Sequence, residues 1–146
     1  MKYSYLKKGI INIFNHKFGK CNICGNYTLF LCSNPLTVRN NMICYSCRSS
    51  SRERHIASFI LKKLFPELKS ISKINNAKSE TQIYNLGTDD PFTKQLSNNN
   101  FFYQSEYMDN ILPGTEINTR LYCQNVEKLT FDNNTFDLVI SGDVFE

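Results

Sequence analysis

Four cysteines set in two pairs constrain this chain more than any other feature. Cys21-x-x-Cys24 and Cys44-x-x-Cys47 stand nineteen residues apart. That spacing lets two thiolates share one tight turn and take two corners of a zinc tetrahedron, so two such pairs close a structural four-cysteine site. Gly25 after the first pair and Ser46 inside the second are residues that turns favour. Buried thiols, disulfides and a redox pair are the alternatives. Disulfides suit a reducing compartment poorly, four unrelated thiols rarely fall into two such pairs, and neither pair has the βαβ surroundings of a redox motif. Structural Zn2+ on Cys21, Cys24, Cys44 and Cys47 is the expectation, with Cys32 a spare thiol of the intervening hairpin.

The residues around the pairs predict a small module. Tyr27 to Leu31, then Asn34-Pro35, then Met42-Ile43 reads as a short β-hairpin. Ser50-Ser51-Arg52-Glu53 fits a capping box, and Ile56, Phe59, Ile60 and Leu64 form an apolar stripe at helical spacing. Knuckle, hairpin, knuckle and helix together resemble a zinc-ribbon or treble-clef module.

Charge divides the 146 residues in two. Residues 1–63 carry eleven Lys and Arg against one acid, Glu53, whereas residues 64–146 carry six against twelve. Such asymmetry suggests units with different partners. The organisation expected is a basic cysteine module over 1–65, a Ser-, Lys- and Asn-rich linker over 66–80, and a second unit over 81–146. Arg48, Arg52, Arg54 and His55, with Lys17, Lys20 and Arg39, could meet nucleic acid or another anion; the plainer reading is a solvated face that offsets the tetrathiolate charge. No apolar run approaches the roughly 20 residues of a membrane span. The lysine-flanked stretch Ile10 to Phe14 is short and lacks a small-residue cleavage site, so the expected location is the cytoplasm.

The second unit alternates strand and helix signals. Gln82 to Leu86 predicts a strand ending at Gly87; Asp90-Pro91 supplies an N-cap and a first-turn proline for a helix through Leu96. Phe101 to Ser105 predicts a second strand ending at Glu106, Leu121-Tyr122-Cys123 a third, and Phe136 to Ile140 a fourth, apolar enough to be covered on both faces. A glycine after one strand and a carboxylate nineteen residues on, at the end of the next, suit a nucleoside: the glycine admits the ligand and the carboxylate accepts from ribose hydroxyls. Glu106 as a solvated strand-end acid is the alternative.

Asn125-Val126-Glu127-Lys128-Leu129-Thr130-Phe131 followed by Asp132-Asn133-Asn134-Thr135-Phe136-Asp137-Leu138-Val139 resembles a signature of class I S-adenosylmethionine-dependent methyltransferases of the type 11-like kind. Ser105-Glu106-Tyr107 resembles members that carry an N-terminal cysteine knuckle module. The resemblance covers roughly residues 80–146, with a weaker echo over 21–65. It implies a partial Rossmann-like parallel sheet, the first half of that fold, behind the zinc module. It implies S-adenosyl-L-methionine as cofactor: Gly87 facing its methionyl part, Glu106 holding the ribose, Tyr107 beside the adenine, Asn125 and the Val126 backbone at the adenine amino group, and Ser141 and Asp143 near the sulfonium. Three departures stand out. The glycine loop is degenerate, Asn125 replaces the usual aspartate, and the histidine that ordinarily follows the Ser141 to Glu146 loop is absent. A truncated methyltransferase-family protein is therefore expected, with catalytic residues and methyl acceptor unassigned and β-edge exposure favouring self-association. A zinc-binding interaction or nucleic-acid-binding protein with a degenerate α/β scaffold is the alternative.

Overall fold

The computed structural model describes residues 16–32, 41–76 and 81–142, within two compact units, Met1–Ile74 and Asn75–Glu146. Ile10 to Phe14, Asn34-Pro35, Arg39 and the Asp143 to Glu146 loop lie outside the described residues. No described helix is long and apolar enough to cross a membrane.

The first unit opens with β1 (Lys17–Lys20), β2 (Tyr27–Leu31) and β3 (Ile43–Cys44), an antiparallel sheet in that order. The expected hairpin partners, β2 and β3, pair with Phe30 opposite Cys44; β1, which the sequence reading missed, pairs with β2 over its whole length. Helix α1 (Ser51–Leu64) begins with the expected capping box: the Glu53 amide donates to Ser50 Oγ, and the Ser50 amide donates to Glu53 Oε2 at 2.6 Å. Its buried face differs from the expected stripe. Ala57, Ile60 and Leu61 are buried, while Phe59 and Leu64 are exposed. Four positions at helical spacing define a direction, and only the packing decides which neighbouring direction meets the core.

The expected linker is in part structured. A 3-10 helix (Ile71–Asn76) follows α1, and Ile71 and Ile74 are fully buried. The Ile71 and Ser72 amides donate to the Asn22 and Ile23 carbonyls, and Ser72 Oγ donates to the Cys24 carbonyl at 3.0 Å. Residues 70–74 thus strap the first knuckle, and the division between the units falls after Ile74, inside the expected linker of residues 66–80.

The second unit is an α/β sheet of five strands: β4 (Ile83–Asn85), β5 (Phe102–Glu106), β6 (Glu116–Asn118), β7 (Leu121–Cys123) and β8 (Leu138–Ile140), in the order β6-β7-β5-β4-β8. The four strands expected from the sequence, β4, β5, β7 and β8, are mutually parallel, and β6 adds an antiparallel edge. Helix α2 (Pro91–Leu96) joins β4 to β5 and is capped as expected, with Asp90 Oδ1 accepting from the Phe92 and Thr93 amides at 2.8 and 2.9 Å. Among the described residues no helix lies between β5 and β7 or between β7 and β8, so the expected alternation holds only for the first crossover.

Aromatic rings do the work of the absent helix. Tyr84, Tyr103 and Tyr122 share one sheet face by register, and Phe131 and Phe136 from the β7–β8 loop close over them. Tyr84 meets Phe136 at 4.9 Å and Phe131 at 5.1 Å, and Tyr103 meets Phe136 at 5.2 Å. Edge and offset contacts of this kind add about 0.5–1.5 kcal/mol each beyond burial. Tyr84 is fully buried and its hydroxyl pairs with Ser105 Oγ at 2.6 Å, while burial pushes its pKa above the usual tyrosine value. The strand β8 is not covered on both faces: Val139 is 52% exposed beside buried Ile140. As the outermost strand of the described sheet it has a neighbour on one side only.

Candidate metal centre and strand-end pocket

The two cysteine pairs converge. The Sγ atoms of Cys21, Cys24, Cys44 and Cys47 all lie within 4.8 Å of one another, and Cys21 and Cys47 are 3.8 Å apart. Zinc–sulfur bonds near 2.3 Å give a tetrahedron whose edges are about 3.8 Å, so this spacing fits a four-thiolate metal site, consistent with zinc. Cys32 is not part of the cluster; its amide donates to His16 Nδ1 at 3.0 Å. His55 is exposed on α1 and is not among the ligating atoms.

The knuckles are built alike. The Cys21 amide donates to Asn26 and the Cys21 carbonyl accepts from Gly25; the Cys44 amide donates to Ser49 and the Cys44 carbonyl accepts from Arg48. Each turn reverses through a left-handed residue four positions after its first cysteine, Gly25 at φ 80° and Arg48 at φ 65°. A side chain at Gly25 would also collide with Ser70 Oγ at 2.9 Å. Arg48, by contrast, keeps its side chain in the open.

Polar groups surround the sulfurs. Ser49 Oγ lies 3.2 Å from Cys47 Sγ and Thr28 Oγ1 lies 3.9 Å from Cys44 Sγ. The Cys21–Cys47 contact, foremost, holds the Cys21 thiol down to about 4, and the same contact pushes Cys47 up; burial raises Cys24. A metal bound to the four sulfurs would take the place of this thiol–thiol contact.

Arg54 belongs to the scaffold, not to a free basic patch. Its Nη1 and Nη2 donate to the Ser49 and Met42 carbonyls, each at 2.6 Å, and the guanidinium lies over the Phe30 ring at 4.4 Å. It thereby fixes the chain on both sides of the second knuckle. Asn22 Nδ2 ties the first knuckle to α1 through the Arg54 carbonyl and Ser58 Oγ, both at 2.7 Å. Sequence gave no sign of either role, because both depend on carbonyls brought close by the fold.

In the second unit a pocket of about 600 Å³ opens at the carboxyl ends of β4, β5 and β7. Gly87, Glu106, Tyr107, Asn125 and Val126 all line it, joined by Thr88, Gln124 and Glu127. Ser141 follows β8 half-buried and is not among the lining residues. Thr88 Oγ1 donates to Glu106 Oε2 at 3.3 Å, and Tyr107 is exposed. Asn125 Oδ1 accepts from the Glu127 amide at 2.9 Å and so closes a local turn; an amide oxygen has a second lone pair to offer. Gln124, fully buried, exchanges hydrogen bonds with the Thr130 amide and hydroxyl and pins the loop beneath Asn125. Asn85, also buried, donates to the Gly87 carbonyl, Asp90 Oδ2 and Thr93 Oγ1, which fixes the turn after β4. These two amides were not expected from sequence, where each looks like any strand-flanking polar residue.

Comparison of the chain with protein-family models, with curated proteins and with solved structures finds no significant match in any of the three.

Proposed function

We propose that the second unit is the cofactor-binding part of a class I S-adenosylmethionine-dependent methyltransferase, carried behind a structural zinc module. The observation that carries this reading is the convergence of Gly87, Glu106, Tyr107, Asn125 and Val126 on one pocket at the ends of three parallel strands. Numbered along the chain, the four parallel strands run third, second, first, fourth across the sheet, the order of a doubly wound nucleotide-binding half.

The chemistry of the pocket favours a nucleoside without phosphates. Its lining holds two acids, Glu106 and Glu127, and no lysine or arginine. A dinucleotide would set its pyrophosphate on the helix amides after the first strand, but the Asp90 carboxylate already takes those of Phe92 and Thr93. S-adenosylmethionine carries ribose hydroxyls and two cationic groups and lacks phosphate, which suits this lining. Glu106 retains acceptor sites for a ribose hydroxyl pair besides its bond to Thr88. Tyr107 offers an exposed ring for the base, and Asn125 an acceptor for an exocyclic amine. When bound, the cofactor supplies an activated methyl group; the chain's own residues orient it and leave the acceptor open.

Calorimetric titration of the full, zinc-loaded chain tests this reading. Saturable heat with S-adenosylmethionine, about tenfold weaker in Glu106→Ala, is expected for the loss of hydrogen bonds to a charged acceptor. Absence of saturable heat, or a Glu106→Ala titration that overlays the parent, would return the second unit to the rank of a scaffold for a zinc-binding interaction protein.

A further inference from the structure

The sheet of the first unit has two unlike faces. Thr28, Phe30 and Cys44 turn inward to the cysteine cluster and Arg54. Residues paired across antiparallel strands share a face, so Phe18 opposite Leu29 and Lys20 opposite Tyr27 lie together on the other side. Tyr45 extends that side, because its amide donates to the Leu29 carbonyl at 3.0 Å. This outer face is open: Phe18 is 73% exposed, Tyr27 71%, Tyr45 65% and Leu29 40%.

Rings and cations interleave there. Phe18 and Tyr27 lie nearly parallel, at 19° with centroids 6.2 Å apart. Lys20 Nζ sits 5.9 Å from the Tyr27 ring centre and the Arg48 guanidinium 5.8 Å from that of Tyr45. None of these face residues is acidic. The acids of the first unit are Glu53, engaged by Ser50 in the capping box of α1, and the exposed Glu67 beyond that helix.

We propose that this outer face binds single-stranded nucleic acid, with Phe18, Tyr27 and Tyr45 stacking on bases and Lys20 and Arg48 meeting phosphates. Flat exposed rings within a cationic surface are the parts of a stacking platform, and every base offers a π-face to them. A duplex hides its base faces and would use only the charges. An apolar protein partner would have to accept the two cations, against a face with no acid to balance them. The proposal is independent of the cofactor reading, since it concerns residues of the first unit alone.

Fluorescence anisotropy with the full, zinc-loaded chain and a labelled oligouridylate of about twelve nucleotides tests it. Saturable binding that weakens steeply with salt is expected, with a duplex of equal length bound more weakly. Phe18→Ala, Tyr27→Ala and Tyr45→Ala should each lower affinity roughly 5- to 150-fold, while Tyr27→Phe keeps it. Lys20→Glu with Arg48→Glu should abolish binding with zinc content unchanged, so a poorly folded ring variant leaves the proposal testable. Any of three results overturns it: no saturable binding, equal binding of duplex and single strand with ring variants unaffected, or ring variants that change only self-association.

Discussion

In the first unit the chemically distinctive atoms come from two turns of five or six residues, each closed by its own backbone hydrogen bonds. In the second they come from the ends of β4, β5 and β7, strands up to forty residues apart that are aligned only by sheet register. The first unit buries Ile23, Ile60, Leu61, Phe65, Ile71 and Ile74, and adds to them an inner cluster of sulfurs, serines, Asn22 and Arg54. The second has a ring cluster on one sheet face and buried Phe92, Leu96 and Phe102. A small unit that gathers four thiolates at its centre is held by a cross-link when a metal binds them. A sheet with a packed core needs none. Loss of metal should therefore separate the two units, and loss of a ring should separate them in the other direction.

Cys44→Ser gives the largest effect. It should remove roughly 10 kcal/mol of metal-linked folding free energy from the first unit, seen as loss of bound zinc and of hydrogen-exchange protection over 17–74. Protection of β4 and β5 should persist. If it collapses as well, the two units are not the independent bodies this comparison makes them.

Tyr84→Ala is the mirror experiment. Removing a fully buried ring that touches Phe131 and Phe136 should cost the second unit about 3–5 kcal/mol, with zinc content unchanged. A loss under about 1 kcal/mol by denaturant titration would mean that the ring cluster is not the core of that unit.

Ile71→Ala sharpens the boundary. Ile71 is fully buried and its amide bonds the Asn22 carbonyl, so truncation should destabilise the first unit by about 3 kcal/mol and leave the second untouched. A true linker would show nothing.

The smallest effect is on pH dependence. Burial raises Cys24 and the contact with Cys21 raises Cys47, so both thiols are protonated at neutral pH, while Cys21, held at about 4, is already a thiolate there. Metal binds thiolate, so Cys24 and Cys47 each release a proton on binding. Affinity should fall as pH falls, by about a hundredfold per pH unit from these two groups, and because both thiols lie above the ordinary value the fall is already under way at neutral pH. Calorimetry in buffers of different ionisation enthalpy counts the protons; zero release would contradict the protonated starting state.

Much of the local architecture was legible before folding. The C-x-x-C spacing, the Ser50–Glu53 box and the Asp90-Pro91 cap each act within four residues, and the structure bears out each. Register-dependent features were less legible. Val139 reads as core in a run of apolar residues, yet it is half open, since among the described strands β8 has a neighbour on one side only. Residues 66–74 read as linker because Ile71 and Ile74 are too few to show a period. Both are buried, and the Ile71 and Ser72 amides bond the Asn22 and Ile23 carbonyls of the first knuckle, which sequence places nearly fifty residues away.

What the sequence determined by itself was where the chain must turn, cap and gather its thiols, since those preferences belong to neighbouring residues and need no partner. What only tertiary structure decided was the use of groups whose partners are remote. It turned Arg54 from surface charge into a brace on two carbonyls, set Phe18, Tyr27 and Tyr45 outward on one face, and brought Gly87, Glu106 and Asn125 to one pocket. A side chain carries its chemistry along the sequence, but strand pairing and burial decide which atoms it meets.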